Sequence, residues 1–256
     1  MAGMTCFDVD HESFSGQRDG DVVILHFKHN RMFLTTDLRQ TGALNDFLRR
    51  VARDATIRST AVIGPPAGGG REEYLRFFNR ALQPNAPEWV TLRLYNAFDS
   101  FILGAVNSEK AVVVGARGEQ PTDYLGLMLA CDRRVCSEDL SFVNAHLELG
   151  LAPAAGTAFF VAQALGRDRA MELLLSTEPL VASRMLELGL VDEVVPPDEL
   201  EAATVAAAHR YAAAPAGSIA AVKRLLSFVV RDLPSYLSQE TAVADRISSD
   251  ARSHFS

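Results

Sequence analysis

Hydrophobic and polar positions fall into two regimes along the chain. Residues 22–28 (VVILHFK) are an apolar, β-branched run after the Asp19-Gly20-Asp21 turn and read as a buried strand. Thr36-Asp37 offers an N-cap, and Leu44, Phe47, Leu48 and Val51 then recur at helical spacing, which predicts an amphipathic helix over 37–52. A short strand over 60–63 runs into Gly64-Pro65-Pro66-Ala67-Gly68-Gly69-Gly70, a loop too rich in glycine and proline for regular structure. Helices over 72–82 and 88–106 follow, the second with Val90, Leu94, Ala97, Phe101 and Ala105 along one face. A strand over 111–114, a polar loop over 116–123 and a helix over 124–131, apolar all round and therefore buried, come next. Residues 135–136 and 141–143 read as short edge strands. From Gly156 onward the pattern is almost wholly helical, broken by Gly and Pro. Strand–helix alternation followed by a run of helices predicts an α/β core with a helical C-terminal portion. No internal repeat or low-complexity segment interrupts it.

Composition narrows the class. The 256 residues are 48% hydrophobic and 22% charged, ordinary for a globular chain that can bury a core without disulfides or metals. A net charge of -7 and the absence of any long basic run argue against a nucleic-acid binder, which needs a basic face to neutralise phosphates. Apolar stretches such as 202–208 and 219–222 are far too short to span a membrane. The three cysteines, Cys6, Cys131 and Cys136, form no CxxC pair, which fits a reducing compartment and excludes a Cys-based zinc site. The opening residues are polar and acidic, with Asp8, Asp10 and Glu12, and carry no secretory pattern, so a cytoplasmic protein is expected. There is no HExxH and no carboxylate–histidine cluster at ligand spacing, so no metal and no separate cofactor are expected.

Residues 129–157, LACDRRVCSEDLSFVNAHLELGLAPAAGT, resemble the crotonase, or enoyl-CoA hydratase/isomerase, superfamily, in which a stretch of the form ALxCD…A…F…PE…LGL.PG.G recurs. The resemblance continues through 163–200, QALGRDRAMELLLSTEPLVASRMLELGLVDEVVPPDEL, and residues 111–118 stand where the family has a PVIAAVNG strand. It implies a crotonase-like ββα-superhelix core with a C-terminal helical trimerisation region. The corresponding division of the chain is an N-terminal extension over 1–20, an α/β core over 21–195 and a helical region over 196–256. It also implies chemistry on an acyl thioester of coenzyme A or a carrier protein, whose carbonyl becomes an enolate held by two backbone N–H groups. Such fixed dipoles stabilise developing charge without reorganising.

Carried over residue by residue, the resemblance puts the first oxyanion donor in the 67–70 loop, at Gly68 or Gly69, and the second at the backbone of Asp123. The family's GGG before the buried helix is replaced here by Thr122, Asp123 and Tyr124. A hydratase needs two carboxylates, one to activate water and one to protonate the α-carbon. The family's first glutamate lies five residues before the cysteine of its CD pair, which is Gly126 here. The second lies fifteen residues after it, which is His146. Both are absent, so ordinary enoyl-CoA hydration is not expected.

An imidazole at position 146 can take or give a proton near neutrality. It is similar to the histidine base of the superfamily's β-diketone hydrolases, although their aspartate-containing turn reads Pro153-Ala154-Ala155-Gly156 here. The alternative for His146 is a core histidine bonded to a backbone carbonyl. Asp123, Tyr124 and Glu119 are expected to gather at the mouth of the same pocket, the alternative being a solvated loop and a helix cap. Lys28, His29 and Arg31, with His26 beside them and Lys223 further on, form a candidate site for CoA phosphates, or else plain surface. Asp132, Cys131 and Cys136 read as structural. Three functions remain open. They are an atypical thioester isomerase, lyase (including decarboxylase) or hydrolase; a carbon–carbon hydrolase of a diketone; and a non-catalytic binding or assembly partner. The partners expected are a small acyl thioester, an acyl carrier protein and further copies of the chain in a trimer or hexamer.

Overall fold

The computed structural model describes residues 7–29, 32–66, 70–87 and 89–254. The chain begins with strands β1 (Val9–Asp10), β2 (Phe14–Asp19) and β3 (Val22–Phe27), then helices α1 (Met32–Thr35) and α2 (Leu38–Arg53). Asp37 caps α2 by accepting the Arg39 N–H at 2.8 Å, and the helix buries Phe47 and Val51, as its spacing predicts. Next come β4 (Ser59–Ile63), α3 (Gly70–Ala81), α4 (Trp89–Val106), β5 (Ala111–Ala116), β6 (Glu119–Pro121) and α5 (Asp123–Leu129). After β7 (Arg133–Ser137) and β8 (Ser141–Val143), a 3-10 turn spans Ala145–Leu149. Then follow α6 (Thr157–Leu165), α7 (Arg167–Leu174), β9 (Leu180–Val181), α8 (Ala182–Glu187) and β10 (Glu193–Val195). The chain closes with α9 (Leu200–Ala212), α10 (Ala216–Leu226), a second 3-10 turn at Ser227–Val230, and α11 (Leu233–His254).

Seven strands form one sheet in the order β1-β2-β3-β4-β5-β7-β10, antiparallel at its start and parallel from β3 onward. A smaller sheet orders β6-β8-β9. Side chains alternate across each strand. Val22, Ile24, Ala61, Ile63, Val113 and Val135 meet Leu200, Ala207, Ala208 and Ala212 of α9 on one face. Val23, Leu25, Val62, Val112 and Val114 face the larger core, with Phe47, Phe77, Phe98 and Ile102. Gly115 is what lets α9 lie so close, since a Cβ there would run into the Thr204 hydroxyl.

Several expectations are corrected here. Residues 1–20 are not an appendage in so far as they are described: β1 and β2 pair into the main sheet, and Phe7 and Phe14 are buried. β7 is no edge strand, because β5 and β10 flank it, and β8 lies between β6 and β9. The polar 116–123 stretch contains β6, whose three residues give no alternation to read but are held by pairing with β8. The region after Gly156 contributes β9 and β10, strands too short to punctuate a helical pattern. The core also runs past residue 195, because α9 covers one sheet face.

Candidate active site

Ligands of parallel sheets bind beyond the carboxyl ends of the strands. A cavity of about 170 Å³ lies in that position, where Gly64-Pro65 leaves β4 and Ala116-Arg117 leaves β5. Leu44 and Leu48 of α2, Ala97, Phe98 and Phe101 of α4, and Leu127 and Met128 of α5 make its apolar walls, with Phe27, Val62, Val114 and Phe142. Polar groups reach it from Ser13, His29, Thr35, Gln40, Thr41, Asn45, Arg117, Gln120 and Tyr124. Among the described residues no aspartate or glutamate lines it.

The residues that the family resemblance singled out mostly lie elsewhere. Asp123 opens α5 but turns away from the cavity: its Oδ1 accepts the Ala154 N–H at 2.9 Å, and its buried Oδ2 has no hydrogen-bond partner. Burial pushes its carboxyl up to about 6, opposed by that backbone bond. The turn it holds is unusual, with Ala155 at φ 59° and Gly156 at φ 66°. From the other side the Gly156 N–H donates to Glu240 of α11 at 3.0 Å, and burial pushes that carboxyl up to about 7. Thr157 closes the turn by donating from its hydroxyl to the Ala154 carbonyl at 2.7 Å. This backbone fills the space beside Gly126. A Cβ there would run into the Ala155 carbonyl oxygen and lie 2.7 Å from the Thr157 hydroxyl.

His146 sits in the Ala145–Leu149 turn, only 2% exposed, and does not line the cavity. Burial drives its pKa down to about 4, partly offset by its bond to the Leu174 backbone carbonyl, and its Nε2 is buried without a partner. Beside it, the Asn144 amide donates to the carbonyls of Leu173 and Ser176, both at 2.8 Å, and Asn144 Oδ1 accepts from the Thr122 hydroxyl at 2.7 Å. His146 is thus buried and bonded to a backbone carbonyl, with its second ring nitrogen left without a partner.

The expected cluster of Asp123, Tyr124 and Glu119 is therefore divided. Tyr124 lines the cavity, and burial followed by the charge of Asp123 raises its hydroxyl pKa. The Glu119 carboxylate accepts the Arg71 N–H at 3.1 Å, while the Arg71 guanidinium pairs with Glu148 through two bonds of 2.6 and 2.7 Å. The basic patch is also corrected. Lys28 is paired with Asp10 and donates to the His11 carbonyl, and His26 faces Glu201 at 3.0 Å. Lys223, half-buried, forms an ion pair with Asp132, whose Oδ2 also accepts the Val112 N–H at 2.7 Å. Among the described members of that set His29 alone lines the cavity, and Arg31, Gly68 and Gly69 lie outside the described residues. Cys131 and Cys136 are buried free thiols, both pushed up to about 12 chiefly by burial.

Arg117, Gln120, Gln40 and Asn45 were missed. A signal for Arg117 was present: it stands where the PVIAAVNG motif has its asparagine, at the end of a core strand. The cavity polar groups of α2 gave none, because they look like any solvated helix face.

The enoyl-CoA hydratase/isomerase family model matches residues 93–254, and the chain belongs to this family, the crotonase superfamily of the resemblance. It is 33% identical over 107 residues to 4-chlorobenzoyl coenzyme A dehalogenase-1 of Arthrobacter sp, covering 42% of this chain and 39% of that protein. A trans-2-decenoyl-[acyl-carrier-protein] isomerase of Streptococcus mutans is 32% identical over 117 residues, 46% of this chain and 44% of the isomerase. A probable enoyl-CoA hydratase of Mycobacterium tuberculosis is 34% identical over 128 residues, 50% of this chain and 46% of the relative. The alignments thus span less than half the length of these relatives. In three dimensions the enoyl-CoA hydratase of Bacillus halodurans superposes with a TM-score of 0.81 at 19% identity, covering 95% of this chain and 99% of that one. That of Mycobacterium avium subsp. paratuberculosis K-10 gives 0.74 at 22% identity, covering 92% and 89%. At such identities the likeness is one of fold.

Proposed function

We propose that this chain is an enzyme acting on an acyl thioester, of CoA or a carrier protein, through a stabilised enolate, as an isomerase, lyase or hydrolase rather than a hydratase. Two observations carry the reading: among the described residues no carboxylate lines the largely apolar cavity, and backbone occupies the space a glutamate at position 126 would need. Water activation by paired carboxylates has no acceptor in such a site. The acyl chain occupies the cavity, with the thioester carbonyl at the backbone N–H of Asp123 at the start of α5, while the family resemblance assigns the other donor to the 67–70 loop, whose residues 67–69 lie outside the described residues. Enolate charge is then met by backbone dipoles, and the Asp123 carboxyl does not oppose it because it is turned onto the Ala154 N–H. Proton transfer falls to the groups that line the cavity and can carry a proton, His29 and Tyr124.

A second reading, a member that binds thioesters without turnover, draws support from the same absence of carboxylates. A diketone hydrolase would need His146 to reach the cavity, and its burial weighs against that. For assembly, the exposed apolar side chains Val222, Leu225, Leu226, Phe228 and Val229 of α10 and the turn after it support self-association as a trimer or hexamer.

Calorimetric titration with CoA, acetyl-CoA and crotonyl-CoA, with the crotonyl double bond followed by absorbance, tests the reading. Binding with the double bond retained is expected. Hydration would overturn the non-hydratase assignment, and failure of all three and of a crotonyl thioester of an acyl carrier protein to bind would overturn the thioester assignment.

A further inference from the structure

We infer that the cavity takes an acyl group carrying a carboxylate, held by Arg117. The inference rests on the thioester reading above for the identity of the chain, though not for the anion. The protein as a whole is acidic, at -7, yet no acidic residue lines this cavity among the described residues, and Arg117 does. Arg117 forms no ion pair and no side-chain hydrogen bond among the described residues, and its Nε is buried without a partner. Of the four arginines whose Nε is buried without a partner among the described residues, Arg58, Arg133 and Arg134 each bond an acceptor through another guanidinium nitrogen, and Arg117 does not.

A partly buried guanidinium left without an acceptor is costly, and a ligand anion relieves it. The carboxylate fits better than other anions for a reason of place. Arg117 shares the cavity with Phe98, Leu127 and Met128, where an acyl chain lies, whereas the bulky phosphates of a carrier belong in solvent. The planar fork of arginine matches a carboxylate in bidentate fashion. Gln120 is positioned beside it: its Nε2 donates to the Arg117 carbonyl at 2.9 Å, and its side chain also lines the cavity. The substrate class is therefore the monothioester of a dicarboxylic acid, with Arg117 as the specificity-determining residue.

Calorimetry on the wild type, Arg117→Met and Arg117→Lys tests this with length-matched pairs: succinyl-CoA against butyryl-CoA, and adipyl-CoA against hexanoyl-CoA, with free CoA as the reference. At one chain length the carboxylated ligand should bind the wild type about tenfold more tightly than its neutral partner. Arg117→Met should abolish that preference and leave the neutral acyl-CoA and free CoA unchanged, while Arg117→Lys restores part of it. Equal weakening of every ligand in Arg117→Met would mean that Arg117 holds the phosphates, and would overturn the proposal while leaving the thioester reading intact. No preference in the wild type would overturn it as well. If no CoA ligand binds, the thioester reading rests on the carrier-protein thioester and fails with it. The anion is then read from octanoate against octanol: a preference for octanoate that Arg117→Met removes sustains the carboxylate assignment, and equal binding rejects it.

Discussion

Two neighbouring regions share the helix α5 and divide its chemistry. On one side, Tyr124, Leu127 and Met128 face an apolar cavity at the strand ends, with Arg117 and His29 as its basic groups. On the other, Asp123 and Gly126 meet the Ala154–Thr157 turn, which Glu240 clamps from α11. Carboxylates belong to the second region, where Asp123 and Glu240 hold backbone rather than open toward a ligand. Positions that carry catalysis in a motif can thus be taken over by packing, and the open face of the same helix is where chemistry remains available.

The largest expected effect comes from placing a glutamate at position 126, where the family resemblance expects one. Gly126→Glu should destabilise the fold by about 3 kcal/mol or more, since it forces a buried charge against backbone that cannot recede. A urea titration measures it, and a variant as stable as wild type would show that the turn yields easily. Asp123→Ala removes the acceptor of the Ala154 N–H and should cost about 1–3 kcal/mol, whereas Asp123→Asn keeps an acceptor oxygen and should cost less.

The pH dependence of stability sharpens the contrast. Asp123 at about 6 and Glu240 at about 7 are raised above their ordinary values, so the folded state binds more protons, and their contribution is lost as pH rises through 6 and 7. His146 at about 4 is lowered, so the unfolded state binds more protons between about 4 and 6.5, and its contribution grows with pH over that window. The two trends oppose each other in the wild type. In His146→Gln, stability should fall as pH rises from 5 to 7. Burial also pushes the Asp99 carboxyl up to about 6, so in Asp99→Asn with Asp123→Asn and Glu240→Gln stability should rise over the same range, and parallel slopes in this variant and His146→Gln would refute the assigned burial effects. The smallest structural effect is expected from Tyr124→Phe and His29→Gln, which should leave the urea midpoint nearly unchanged. On a verified substrate these two should reduce turnover, while His146→Gln should not. The opposite pattern would return catalysis to the histidine.

Much of the fold was legible because it rests on periodicity: α2 with its Asp37 cap, the β3, β4 and β5 runs, and the apolar α4 and α5. What escaped was short or two-sided. β6, β9 and β10 have two or three residues each and exist through pairing rather than pattern, and β2 alternates polar residues with a glycine. At the site, the sequence shows Gly126 and His146 at the two positions where the family resemblance expects glutamates. That Gly126 is closed off by Ala155, or that Lys28, His26 and Lys223 are already neutralised by Asp10, Glu201 and Asp132, depends on long-range contacts that no local sequence window contains.

Crotonyl-CoA affinity in two variants tests most directly whether the cavity, and not the buried layer behind α5, receives the ligand. Ala97→Trp places a bulky ring in the cavity wall, and His146→Gln changes only the buried imidazole. The account predicts that the Ala97→Trp variant, folded by circular dichroism, loses affinity by about tenfold or more while the His146→Gln variant binds like wild type. Unimpaired binding in Ala97→Trp, together with a loss in His146→Gln, would contradict it.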